Sequence, residues 1–180
     1  MQGAPAAAAR WAIVSCITDN FIGLGGTFLS SLLAADPAAA GCDFLLLTCP
    51  RYAPLAEANR ALLRRIHPGI RFWDVDGGFL SEETVRRWRD GKVVKAGIDA
   101  ALPGKRSVFL KLLLLTLERH EAVMWLDSDL LVRRPLTGLF RLPARLAMVP
   151  AGRPVLDFGV EYGSRGPPFN SGVMVVKRPY

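Results

Sequence analysis

The sequence predicts an α/β fold with a mostly parallel central sheet flanked by helices, and three observations carry that expectation. Short apolar runs alternate along the chain with stretches of helical period. Two of the runs stop abruptly in polar clusters, Thr18-Asp19-Asn20 and Asp127-Ser128-Asp129. With 180 residues, 51% of them hydrophobic, the chain suits one domain with a real core and is too short for two ordinary ones.

Trp11 to Ile17 (WAIVSCI) is a first strand, rich in β-branched residues and closed by Thr18-Asp19-Asn20. Gly23 to Ala35 reads as a helix with Leu24, Thr27, Phe28, Ser31 and Leu32 on one face. Asp43 to Thr48 (DFLLLT) is a second strand. Leu55 to Ile66 is an amphipathic helix ended by Pro68-Gly69, and Ile70 to Val75 is a third strand. The pattern weakens between Asp76 and Gly104, where Ser81 to Arg89 carries a helix signal with Ser81 as N-cap and Glu82 and Glu83 in the first turn. Ser107 to Arg119 is the next helix. Ala122 to Leu126 follows as a buried strand running into Asp127-Ser128-Asp129, with Leu130 to Val132 as a candidate continuation. Ala147 to Val149 and Gly172 to Lys177 are further short strands, on either side of a Gly-, Pro- and Arg-rich stretch.

The Ala-rich tip from Met1 to Arg10 is expected to be disordered. It lacks the leading charge and continuous apolar core of a signal peptide, and the run from Val108 to Leu117 contains Lys111 and is too short to span a bilayer. A soluble, cytoplasmic domain is the default expectation, Golgi-associated if it belongs to a longer anchored protein. Cys16, Cys42 and Cys49 have no metal-binding spacing and read as reduced, mostly buried thiols. The net charge of +7 fits a basic solvated surface or the attraction of a nucleotide diphosphate. The arginines lie in scattered pairs with no DNA- or RNA-binding motif around them, so nucleic acid is not expected as a partner.

Three constellations can carry chemistry. Asp127 and Asp129 stand at the carboxyl end of a central strand, where open α/β sheets bind ligands. Two hard oxygen ligands together with diphosphate oxygens suit Mg²⁺ or Mn²⁺. Apolar sequence on both sides makes uncompensated carboxylates costly there, and a cation relieves that cost. Lys111, inside FLKLLLL, either snorkels or meets an anion. Phe169-Asn170-Ser171-Gly172 precedes the last strand; Asn and Ser can bond sugar hydroxyls and Gly172 permits close backbone approach. Asp74-Val75-Asp76 is a rival acidic pair at a strand end, and His67 and His120 read as surface or capping residues.

Taken together, these segments resemble glycosyltransferase family 8, the glycogenin and galactinol synthase group. WLDSDLLV is similar to the family's metal-binding D-x-D strand, and FNSGVMVV to its FN(S/A)G strand. VSCITDNF resembles its uridine-binding opening, and Lys111 lies where the family's nucleotide-sugar lysine lies. The matches keep the family's order from residue 11 to residue 177.

That resemblance implies a GT-A, Rossmann-like nucleotide-diphospho-sugar transferase fold over residues 11–180. It implies Mn²⁺-dependent (or Mg²⁺-dependent) transfer of a hexosyl or related unit from a UDP-sugar to a carbohydrate, polyol or protein acceptor, with retention of configuration. By position, Cys16, Thr18, Asp19, Phe21, Leu126 and Ser128 would line the nucleotide, with Thr18 and Asp19 against uracil and ribose. Lys111 would contact the diphosphate or donor sugar, and Asn170 and Ser171 would line the sugar. Asp127 and Asp129 would hold the metal, and Lys111, Asp127 and Asn170 would be the residues acting on the reacting sugar. A homodimer is compatible with the resemblance. The chain departs from the family in having Thr18-Asp19-Asn20 where Thr-Asn is usual, and in a long stretch before Asn170 that suggests an insertion over 150–168. The family's later segments, a DQ pair and a His-x-x-Gly-x-x-Lys-Pro-Trp motif, are not in the sequence. The expectation is therefore of a domain incomplete at its C-terminus. A truncated, catalytically weak or inactive nucleotide-sugar-binding remnant is the first alternative. A nucleotidyltransferase is the second, although Thr18 to Gly26 lacks the basic residue that such a phosphate loop needs.

Overall fold

The computed structural model describes residues 10–51, 54–76, 103–150 and 169–179, with residues 103–109 given by their backbone. Six strands form one sheet: β1 (Trp11–Cys16), β2 (Asp43–Thr48), β3 (Ile70–Asp74), β4 (Ala122–Leu126), β5 (Leu146–Pro150) and β6 (Phe169–Lys177). Their order is β3-β2-β1-β4-β6-β5. The first four are mutually parallel, while β6 runs antiparallel to both β4 and β5. The expected mostly parallel sheet is therefore present, with β6 as its one antiparallel strand among the described residues. The disordered tip expected over 1–10, apart from Arg10, the helix expected over 81–89, and the insertion expected over 150–168, apart from Pro150, lie outside the described residues.

The central strands are continuous apolar runs because they are covered on both faces. All five residues of β4 are buried, and so are Ala12 to Ser15 of β1. Strand parity divides the core. Ile13, Ile17, Phe44, Leu46 and Met124 face one layer, made by α1 (Ile22–Ala35) and α2 (Glu57–Ile66). Ala12, Val14, Leu45, Leu47, Val123 and Trp125 face the other, made by Leu110, Leu114 and Leu117. Phe28, Leu29 and Leu32 of α1 are fully buried, each stabilising the fold by about 1.5–3 kcal/mol. The helix can lie this close to β1 because residue 25 is glycine: a Cβ there would stand 2.7 Å from Ile17 Cδ1.

The helix expected over 107–119 is present as a 3-10 helix, Pro103–Thr116. Its buried leucines are spaced by four and then three residues, at Leu110, Leu114 and Leu117, whereas Leu112 and Leu115 are exposed. An apolar run with almost no polar punctuation does not reveal from sequence which of these periods it will take. Leu130 to Val132 does not extend β4, and the chain turns away after Leu126. His120 is not a surface residue. It is 1% exposed, and its Nε2 lies 2.7 Å from Asp43 Oδ2, a carboxylate that also pairs with Arg71 and Arg119. His67 is half-buried, caps the end of α2, and packs edge-on against Phe44.

A buried carboxylate closes the fold. Asp36, just past α1, accepts the amides of Leu136 and Thr137 at 2.8 and 2.6 Å and the Thr137 hydroxyl at 3.2 Å. Burial works against its charge, yet these bonds hold the Asp36 carboxyl below the usual carboxylate range. They fasten the connection between β4 and β5 to the end of α1.

Candidate functional site at the β1–β4 switch point

From β1 the chain builds outward through β2 to β3; from β4 it builds the other way, through β6 to β5. Beyond the carboxyl ends of β1 and β4 the connections diverge, which opens the crevice where sheets of this kind take ligands. Cys16, Thr18, Leu126, Asp127 and Ser128 stand at those two ends. Strand β6 enters from the opposite direction, with Leu126 opposite Val173. The Asp127 amide then donates to the Gly172 carbonyl at 2.8 Å, which brings Asn170 and Ser171 to the same crevice. One step along β5, from Met148 to Val149, corresponds to four along β6, from Met174 to Asn170. Ser171, Gly172 and Val173 are thereby released from β5 on the crevice side.

Lys111 reaches this point from the 3-10 helix. Its ammonium lies 2.9 Å from Ser171 Oγ, 3.3 Å from the Ser171 carbonyl and 3.4 Å from Asp127 Oδ1. Its side chain is only 12% exposed, so it meets an anion instead of snorkelling to water. Trp125, two residues before Asp127 on the same strand face, donates its indole N–H to Asp127 Oδ1 at 2.5 Å. Beside them the Cys16 thiol is pushed up to about 12, by burial first and then by Cys49 and Asp127, with Lys111 opposing. Cys16 is therefore a neutral, unreactive wall.

The donor set suits a divalent cation. Both side-chain partners of Asp127 fall on Oδ1; among the described residues Oδ2 has none. A Cβ on residue 172 would stand 3.0 Å from that Oδ2 and 2.9 Å from Asn170 Oδ1, so glycine keeps a small oxygen-lined space open. Asp129 is exposed at the mouth. Among the described residues no three His, Cys, Asp or Glu side chains form a closed metal cage. Two carboxylates with open positions suit a hard ion that keeps room for phosphate oxygens and water.

The remaining sequence candidates lie to either side. Thr18 is half-buried and starts the 3-10 turn Asp19–Phe21; Phe21 is 45% exposed. Asp19 is already engaged: Oδ1 accepts Asn59 Nδ2 at 2.7 Å and the Ala56 amide at 2.8 Å. Asn59 first, then Ala56, holds its carboxyl below the usual range. Asn170 Oδ1 accepts the Gly172 amide at 2.7 Å. The rival pair at the end of β3 is set aside, because Asp74 makes a two-pronged ion pair with Arg60 and a hydrogen bond with Thr48. A cleft of about 650 Å³ lies at the opposite end of the sheet, around Trp11, His120 and Phe140. Several of its basic residues are already paired, Arg10 with Glu121, Arg119 with Asp43 and Arg178 with Glu118. Sequence reading missed the indole of Trp125, which the period-2 face shared with Asp127 could have revealed.

No family model matches the sequence, and no curated protein matches it. Solved structures do. The galactosyltransferase LgtC, determined in complex with donor and acceptor sugar analogs, superposes with a TM-score of 0.65 at 22% identity, covering 92% of this chain and 57% of LgtC. Mouse xyloside xylosyltransferase 1 gives a TM-score of 0.59 at 20% identity, covering 93% of this chain and 66% of that one. The bifunctional glycosyltransferase WbbM gives 0.65 at 19% identity, covering 97% of this chain and 32% of WbbM. The chain thus spans less than two thirds of the length of each of these structures. What the likeness shows is the fold: a six-stranded α/β sheet of the GT-A glycosyltransferase type.

Proposed function

We propose that this domain binds a UDP-sugar together with Mn²⁺ or Mg²⁺ and serves transfer of the sugar to an acceptor hydroxyl, in the manner of glycosyltransferase family 8. One observation carries the reading: Lys111, Asp127 and Ser171, from three separate elements, converge within hydrogen-bonding reach at the sheet's switch point. A buried cation beside a carboxylate whose second oxygen has no side-chain partner among the described residues is what a diphosphate and its counter-ion require.

In this reading Asp127, through Oδ2, and Asp129 hold the ion. When bound, the ion supplies Lewis-acid stabilisation of the departing diphosphate. Lys111 adds a positive charge that needs no reorganisation, since Ser171 and Asp127 already fix it. Thr18, Asp19, Phe21, Leu126 and Ser128 line the nucleoside side. Asn170 and Ser171 line the sugar, and Cys16 closes the floor. No residue is assigned as nucleophile. A nucleotidyltransferase is disfavoured because Thr18 to Gly26 offers no lysine or arginine to a phosphate chain.

The test is release of free sugar from a panel of UDP-hexoses. The expected result is slow, Mn²⁺-dependent release from at least one donor, lost in Lys111→Met. Release that persists unchanged in EDTA, or none from any donor, would count against the proposal.

A further inference from the structure

Trp125 contacts neither donor nor metal in the proposed function, yet it touches both charged groups of the site. Its Nε1 donates to Asp127 Oδ1 at 2.5 Å, and Lys111 Nζ lies 5.4 Å from its ring centroid. The residue is 3% exposed and packed in the core cluster with Val14, Val123 and Leu114. Its ring cannot turn without disturbing that cluster. A carboxylate on its last torsion is otherwise loosely held, because the rotation has broad wells. Among the described residues both side-chain donors to Asp127 act on the same oxygen, which leaves Oδ2 facing the space beside Gly172.

We infer that Trp125 is a positioning residue for the cation site. Its N–H holds Oδ1 so that Oδ2 is presented to the divalent ion, and its ring seats the Lys111 ammonium beside Asp127. The inference rests on the proposal that Asp127 is a metal ligand. It goes further in assigning the two oxygens separate tasks and in naming the group that separates them. A purely space-filling tryptophan would need its ring but not its N–H.

The experiment is a Mn²⁺ titration of the full chain, followed by electron paramagnetic resonance at fixed UDP. Wild type is compared with Trp125→Phe and with a chain carrying benzothienylalanine at position 125, which keeps the bicyclic shape and replaces N–H by sulfur. Thermal melts accompany each titration. The expected result is Mn²⁺ affinity weakened by about 10- to 100-fold in the benzothienylalanine chain, with its melting temperature unchanged. Trp125→Phe should show the same loss where it folds, and the isosteric chain decides the matter if it does not. Equal Mn²⁺ affinity in wild type and the benzothienylalanine chain overturns the inference and leaves the metal assignment standing. Absence of Mn²⁺ binding in the wild type overturns both.

Discussion

Gly172→Ala puts one methyl group into the space on which the site depends. The added Cβ would stand 2.9 Å from Asn170 Oδ1 and 3.0 Å from Asp127 Oδ2, where ordinary contact begins near 3.4 Å. Neither neighbour yields freely. Asn170 Oδ1 accepts the Gly172 amide, and Asp127 is held through its other oxygen by Trp125 and Lys111. Moving β6 instead would stretch the bond from the Asp127 amide to the Gly172 carbonyl. Overpacking of this kind costs about 1–3 kcal/mol, and alanine returns about 0.4–1 kcal/mol by stiffening the unfolded chain. The net loss of stability should then be no more than about 2–3 kcal/mol. Binding should suffer more, because the methyl occupies the approach to Oδ2. Losing one charge-assisted contact, worth about 1.5–3 kcal/mol, weakens UDP binding in Mn²⁺ by roughly 10- to 100-fold. Calorimetry of UDP in Mn²⁺, paired with a thermal melt, reads both quantities. A folded Gly172→Ala protein that binds Mn²⁺ and UDP as tightly as wild type would refute the geometry argued for the cradle.

Other consequences follow from the same structure. Lys111→Met should leave the melting temperature within a few degrees of wild type, since Asp127 stays partly solvated, but weaken UDP binding about tenfold; Lys111→Arg should not restore it, because the planar fork does not fit an ammonium's place between Ser171 and Asp127. Asp36→Ala removes the acceptor of two amides and a hydroxyl, and should cost about 3 kcal/mol, seen as a melting-temperature drop of roughly 6–12 °C. Asp43, although burial opposes its charge, is held below its ordinary range by His120, Arg71 and Arg119. A lowered carboxyl contributes stability that is present above the unfolded value near 3.9 and is lost as pH falls through the folded value. Denaturant midpoints of Asp43→Asn measured from pH 6 down to pH 3 should therefore fall less steeply than those of wild type, and parallel curves would contradict the assignment.

The sheet was legible because its central strands are continuous apolar runs, which only a doubly covered sheet requires. The carboxylates were legible for a related reason: Asp127 and Asp129 interrupt apolar sequence at the end of a buried strand. Lys111 could be narrowed to two readings, and its 12% exposure beside Asp127 selects one. Less legible was everything set by distant partners. His120 looked exposed beside Glu121, yet Asp43, far away in sequence, draws it inside. Asp74-Val75-Asp76 could be read only as a rival acidic pair; the sequence did not show that Arg60 reaches Asp74 from α2. The 3-10 winding before β4 hides within an unpunctuated leucine run, whose composition favours no single helical period. Asp19 shows both sides: its place at the end of β1 could be read, but its bonds to Ala56 and Asn59 could not.

The central claim is that Asp127 and Asp129 bind a metal that in turn holds a uridine diphosphate. Calorimetry of UDP with and without Mn²⁺, on wild type and on Asp127→Ala/Asp129→Ala, tests it most directly. The account predicts binding that requires Mn²⁺ in the wild type and is lost in the double variant while its fold persists. Equal binding by the two proteins, or wild-type binding indifferent to Mn²⁺, would contradict it.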